Sequence, residues 1–228
     1  MKNDLFSIGP FTVHGYGLMI AIGVLSAYYM VEYRAKKKQM DWEKVFPLTV
    51  WSVLGGFLGS KILYLLTRLP DILANPVLLG SSIKDGFVVY GGIIGGILTA
   101  WIYCKCTKWN FWKIFDIAMP AVAMAQGFGR IGCLLAGCCY GIELDPANPI
   151  GIVFHNSAYA PNDVALLPTQ IISSVLDFAN CFVLLALSKK LKTDGQVASC
   201  YLIFYSIGRF VIEFFRGDII RGSVGILS

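Results

Sequence analysis

Charge is what this chain has least of. Only 14% of its 228 residues are charged against 56% hydrophobic, and the mean hydropathy is +0.65. A soluble domain carries about a quarter charged residues, so a water-soluble globule is excluded. Strand alternation is also missing, and since only helices or closed barrels can span a bilayer, helices are expected. No compact basic segment precedes the first apolar run, where Asp4 and Pro10 stand, and no small-residue cleavage site follows it. That run therefore reads as a retained helix and not as a signal peptide. The seven cysteines are an odd number with no secreted disulfide framework, and most read as buried thiols acting as small hydrophobes. Low-complexity segments are absent, as are inverted-repeat halves of the kind many transporters show.

What is present is a series of apolar runs, each near the roughly 20 residues that cross a bilayer. They occupy residues 11–33, 46–67, 86–104, 114–136, 168–188 and 197–215. The loops between them are too short for a separate soluble domain. Residues 1–228 are thus expected to form a single transmembrane domain, an all-α integral membrane protein built as a polytopic bundle of six transmembrane helices.

The basic residues sort the loops into two sides. Arg34, Lys36, Lys37, Lys38 and Lys44, then Lys105, Lys108 and Lys113, then Lys189, Lys190 and Lys192 make up 11 of the 19 Lys and Arg residues, in alternate loops. The other side holds Lys2, Arg68, Lys84, Arg216 and Arg221. By the positive-inside rule the first set is cytoplasmic and the N-terminus lies outside. Topology accounts for the net charge of +5, so no nucleic-acid partner is expected. The longest loop, about 138–167, falls on the outer side; Pro146, Pro149 and Pro161 predict irregular structure there, either as a cover for a site or as a connection. Gly55 with Gly59, Gly91 with Gly95 and Gly92 with Gly96 are spaced for close helix packing in lipid.

Three basic residues remain inside spans: Lys61, Arg130 and Arg209. An intramembrane charge costs at least about 2.5 kcal/mol, so each needs a partner or a function. All three sit about six residues, or roughly 9 Å, below the outer boundary, and Tyr90 enters its helix at a similar depth. In the sixth span Tyr205, Arg209, Glu213 and Arg216 are spaced 4, 4 and 3 apart, which places them on one helix face. An Arg209–Glu213 ion pair alone would neutralise itself, but one glutamate cannot balance three or four cations. An anionic ligand is the better account, and a phospholipid phosphate docked on guanidinium groups suits an apolar outer-leaflet pocket. Asp116 and Asp177 are the acids nearest to a proton relay, and a structural role is favoured for Asp177.

The stretches HGYGLMIA, GSKILY, YGGIIGG, GFGRIGC and GRFVIEFFR follow one another in the order seen in prolipoprotein diacylglyceryl transferases, and the resemblance covers nearly the whole chain. It implies a transferase of the bacterial cytoplasmic (inner) membrane. That family moves diacylglycerol from phosphatidylglycerol onto the lipobox cysteine of a prolipoprotein signal peptide, forming a thioether and releasing glycerol phosphate near the outer leaflet. Carried over, Arg130 and Arg209 resemble the family's essential arginines, Tyr205, Glu213 and Arg216 match their neighbours, and Tyr16 resembles the tyrosine of the first span. Together with Lys61, where the family usually has arginine, these residues are expected to bind the head group. Fixed cations in a dry site would stabilise the charge developing on the departing phosphate.

The departures concern the rest of the machinery. Tyr90 stands where a histidine, a proposed base, is usual, which gives it the catalytic position beside Arg130 and Arg209. Cys133 and Cys138 replace Asn and Glu, and Leu167, Ile172 and Ser173 replace His, Tyr and Glu. The family continues into a seventh helix beyond GSVGILS, so a truncated chain or a short divergent member is expected. No cofactor or metal is expected: Cys138 and Cys139 are adjacent, with His155 the only histidine in the outer loop, a poor zinc set. They read as spacer or buried thiols in preference to a covalent relay or metal pair. The alternatives are a paralogue with a different acceptor, or a non-catalytic phospholipid-binding or transport protein that keeps the arginine pocket.

Overall fold

A computed structural model describes residues 4–8, 11–75, 80, 83 and 86–218. Lys2, Lys84, Arg221 and the terminal GSVGILS stretch lie outside the described residues. Seven helices are described in full: α1 (Gly15–Lys37), α2 (Val45–Thr67), α3 (Leu69–Ala74), α4 (Val89–Thr107), α5 (Phe111–Ala136), α6 (Thr169–Leu187) and α7 (Gln196–Glu213). Among the described residues, five segments are long and apolar enough to cross a membrane, namely α1, α2 with the turn before it, α4, α5 and α6. The protein is a multi-pass, predominantly helical membrane protein. Its side-chain distribution agrees, since Leu54, Phe57, Leu58 and Ile62 on α2 and Val175 and Phe182 on α6 face outward, the arrangement lipid permits and water does not.

Two short β pairings depart from the all-helix expectation. Strands β1 (Asp4–Ile8) and β2 (Phe11–His14) pair antiparallel ahead of α1, which therefore begins at Gly15 and not at residue 11. The alternation in LFSI and FTVH is too brief to register beside spans of 20 residues. In the 138–167 loop, β3 (Ile152–Val153) pairs with β4 (Ala165–Leu166). Tyr140, Phe154, Ala160 and Leu166 form a small core beneath that loop.

Internal contacts divide the chain into two compact units, Glu32–Ile114 and Met1–Val31 with Phe115–Ser228. In the Glu32–Ile114 unit, α2 and α4 pack along their glycines. A Cβ on Gly59 would overlap the Gly91 carbonyl, and one on Gly95 would overlap that of Gly55. The small-residue spacing is thus a packing seam. Tyr103 on α4 donates from Oη to the Lys44 carbonyl (3.1 Å) at the start of α2.

The other unit is organised by α5, α6 and α7. Asn110, still in the Glu32–Ile114 unit, accepts from the backbone N–H of Trp112 (3.0 Å) and of Lys113 and so caps α5, which runs on into this one. Met119, Ala123, Cys181, Leu184, Val197, Ala198 and Tyr201 form the core between these helices. At the start of α7, Asp116 of α5 accepts from Gly195 N–H and Ala198 N–H, both at 2.8 Å. Gly195 has φ of +92°, a backbone that favours glycine. Asp116 therefore caps a neighbouring helix. Further along, Ser174 of α6 donates to the Gly127 carbonyl (2.9 Å), and Gly127 leaves room for the Phe178 ring.

Candidate active site

Arg130 and Arg209, both singled out by the sequence, share one cleft within the Phe115–Ser228 unit. Arg130 enters it from α5, Ser173, Asp177 and Asn180 from α6, and Tyr205 and Arg209 from α7. The α6 residues are spaced 4 and 3 apart, which brings their side chains onto one face of the helix. Arg130 Nε lies 4.0 Å from Asp177 Oδ2, and their side chains are 23% and 10% exposed. That is the outer edge of ion-pair range. No hydrogen bond reaches the Arg130 guanidinium among the described residues, so most of its five N–H donors remain for a ligand. Asn180 Oδ1 is buried and, among the described residues, also lacks a hydrogen-bond partner.

Arg209 is paired along its own helix with Glu213, as the spacing predicts. Tyr205 stacks on Tyr201 with ring centroids 5.8 Å apart, and Tyr201 Oη donates to Gln126 Oε1 (2.8 Å) on α5. These contacts fix the cleft wall on α7.

Arg216 is positioned differently from its three predicted neighbours. Because α7 ends at Glu213, the helical spacing holds for Tyr205, Arg209 and Glu213 but not for Arg216. The chain turns there, and Ile142 N–H donates to the Phe215 carbonyl (3.0 Å) while Gly217 N–H donates to that of Tyr140 (3.2 Å). Arg216, with a side chain 4% exposed, forms a bidentate pair with Asp218, its Nε at 2.7 Å from Oδ1. Burial acts to lower the Arg216 pKa, but the pairing with Asp218 outweighs it and holds the guanidinium above the usual arginine range. Tyr16, at the start of α1, packs on Gly132 of α5.

Lys61 and Tyr90 belong to the Glu32–Ile114 unit. Lys61 Nζ donates to the Gly86 carbonyl (3.0 Å) and lies 4.4 Å from the Phe87 ring centroid. Tyr90 opens α4 and is 75% exposed.

Beyond Arg130, α5 carries Cys133 in its last turn, and the chain reverses at Gly137 to present Cys138 and Cys139. The three Sγ atoms lie within 4.8 Å of one another. Among the described residues this is the grouping of His, Cys, Asp and Glu side chains able to hold a metal ion. Sequence reasoning weighed the two adjacent thiols but not Cys133 as a third partner. The signal was there: the six residues from Cys133 to Cys138 span a helix end, where the chain doubles back.

Comparison with known proteins adds the decisive observation. The family model described as prolipoprotein diacylglyceryl transferase matches residues 3–227. The chain belongs to the prolipoprotein diacylglyceryl transferase family. It is 45% identical to a phosphatidylglycerol–prolipoprotein diacylglyceryl transferase of Clostridium tetani over 229 residues, covering 100% of this chain and 90% of that protein. A second such protein, numbered 2, from Clostridium perfringens is also 45% identical, over 228 residues, covering 100% and 88%. A Dehalococcoides mccartyi relative of the same name is 31% identical over 212 residues, covering 92% and 80%. Within this family member, Ser173, Asp177 and Asn180 are the cleft residues whose joint position sequence reasoning missed. A polar stripe in an apolar span was the available signal.

Proposed function

We propose that this protein transfers diacylglycerol from phosphatidylglycerol to the lipobox cysteine thiol of a prolipoprotein, releasing glycerol phosphate. The observation that carries this reading is Arg130: a partly buried guanidinium without a hydrogen-bonded partner among the described residues, facing the same cleft as Arg209. Two guanidinium groups from two helices can clasp a phosphodiester through paired N–H donors. Asp177, 4.0 Å from Arg130, and Glu213, paired with Arg209, do not occupy all of the arginines' donors. When the thiolate attacks the glycerol carbon, the C–O bond breaks and the phosphate gains a second negative charge. Prepositioned arginines in a water-poor site stabilise that charge more than the ground state.

In this reading Arg130 and Arg209 are catalytic, and Tyr205 and Glu213 shape the Arg209 side of the head-group site. Arg216 and Tyr16 belong to the same head-group site, and Lys61 and Tyr90 stand at the sequence positions of a family arginine and of the family's base. The bundle has six spanning helices, with α7 as the sixth despite Arg209 and Glu213. The N-terminus faces outward and the cleft opens toward the outer leaflet, where a signal peptide and phosphatidylglycerol both reside.

The test is direct. Purified protein is incubated with phosphatidylglycerol and a lipobox peptide, and the thioether adduct and glycerol phosphate are measured by mass spectrometry. Arg130→Ala and Arg209→Ala are each expected to lower turnover by about 100-fold or more, the scale of a lost oxyanion donor. Full activity in both variants overturns the assignment, and phosphatidylglycerol binding with no glycerol phosphate release identifies a binding protein.

A further inference from the structure

The three clustered cysteines play no part in the reading above, yet their backbone is held as firmly as that of the cleft. Cys138 N–H donates to the Cys133 carbonyl (3.0 Å). The carbonyls of Cys138 and Cys139 accept from Gln170 Nε2 and Thr169 Oγ1, each at 2.8 Å, in the first turn of α6. Cys139 adopts φ of +61°, a left-handed backbone that a cysteine rarely takes without a constraint. The thiol pair is thereby turned back toward Cys133, and all three residues are partly buried.

A tetrahedral zinc ion with Zn–S bonds of about 2.3 Å holds its sulfurs about 3.8 Å apart. Sulfurs within 4.8 Å of one another reach that spacing by side-chain rotation. Three protein ligands and an open fourth position is the arrangement of a catalytic zinc, whereas structural sites fill all four. Thiolate ligands favour zinc over hard cations. We infer that Cys133, Cys138 and Cys139 bind a zinc ion whose fourth position takes the acceptor cysteine thiolate. This rests on the diacylglyceryl transfer proposed above and assigns its nucleophile.

Placement supports the pairing of roles. Cys133 lies three residues after Arg130 on α5, so their Cβ atoms are about 5–6 Å apart. The cluster thus begins one helical turn along α5 from the residue whose guanidinium receives phosphate. Three thiolates and one zinc carry a net charge of −1, and an added acceptor thiolate makes −2. Arg130 interacts electrostatically with Cys133 and offsets part of that charge. The metal also supplies a way to deprotonate a thiol at neutral pH, because a coordinating thiol loses its proton on binding.

The step balances without an oxidant. The acceptor thiol binds zinc and gives its proton to water. Its sulfur attacks the glycerol carbon bearing the phosphate ester, forming C–S as C–O breaks, and the bonding pair leaves on glycerol phosphate. The thioether, a weak ligand, then dissociates from the metal.

The experiment uses the full chain in detergent, purified without chelator. Expected are about one zinc per chain by mass spectrometry of metals and, in the cobalt-exchanged protein, a sulfur-to-cobalt absorption band. That band shifts on adding a lipobox peptide with cysteine and not with serine. Chelation is expected to lower transfer by about 100-fold, the scale of lost base catalysis, with recovery on adding zinc. Cys133→Ser, Cys138→Ser and Cys139→Ser lower the metal content, and cobalt titration of the unmutated chain decides if those variants fail to fold. Absence of both zinc and a cobalt band, or full transfer by the chelated protein, overturns the inference. A peptide-sensitive cobalt band with no thioether product upholds the metal site while the transfer reading fails.

Discussion

Arg130 and Arg209 differ in what holds them, and their variants should differ accordingly. Arg209 is tied to Glu213 one turn along α7, so Glu213→Gln loosens an arginine that is already positioned by Tyr205 and the helix. Arg130 has Asp177 only at 4.0 Å. Replacing Asp177 by Asn removes a carboxylate that competes with an anionic ligand for the guanidinium. Phosphatidylglycerol binding to Asp177→Asn is expected to tighten several-fold, as a lost like-charge neighbour gives at partly screened range. Isothermal binding measurements in nanodiscs check this, and weaker binding would show that Asp177 orients Arg130 more than it competes. Arg130→Lys is expected to behave like Arg130→Ala in turnover, because a single ammonium cannot reproduce a forked donor pair.

The site was legible in the sequence to the extent that it lies on one helix. Arg209 and Glu213 follow from a four-residue interval, and their ion pair forms as that interval predicts. Arg130 stood out because a charge within an apolar span is costly. The Arg130–Asp177 approach was not legible, since it depends on how α5 and α6 pack at Gly127 and Ser174. Nor was the end of α7 at Glu213, which removes Arg216 from the shared face and hands it to Asp218.

At the scale of elements, the seams carry the stability. The α2–α4 seam has no room at Gly59 or Gly91, where a side chain would meet the opposite backbone carbonyl. Gly59→Val is expected to destabilise the protein by about 1–3 kcal/mol, the cost of overpacking, read as a lowered midpoint in detergent unfolding. A neutral outcome would mean that the seam opens easily. The α5–α7 junction is a different device. Asp116→Ala leaves two N–H donors at the start of α7 without their acceptor, and a loss of about 1–2 kcal/mol is expected, as for other helix caps. Helix limits were readable within a few residues because hydrophobic length dictates them. The β1–β2 hairpin was not, because four alternating residues are within the noise of an apolar chain.

For the whole molecule, the distribution of Lys and Arg among loops leads to a topology that can be measured. With the N-terminus outside, a reporter fused after Lys108 is expected to be cytoplasmic and one inserted near Asn148 extracytoplasmic. The opposite pattern would reject the proposed orientation and with it access to a secreted signal peptide. The 138–167 loop has its own small core and is anchored to the start of α6, so it resembles a folded cap more than a slack tether.

The Asp116 contact has a mechanical corollary. Fourteen residues of α5 separate Asp116 from Arg130, and fourteen of α7 separate Gly195 from Arg209. At 1.5 Å per residue both arms are about 21 Å long and share one anchor of two hydrogen bonds. Between that anchor and the arginines, Met119 and Ala123 pack with Val197 and Tyr201, and Tyr201 bonds Gln126. Arg130 and Arg209 are therefore set like two marks on one ruler, and the spacing of their guanidinium groups is written by a contact that neither residue makes.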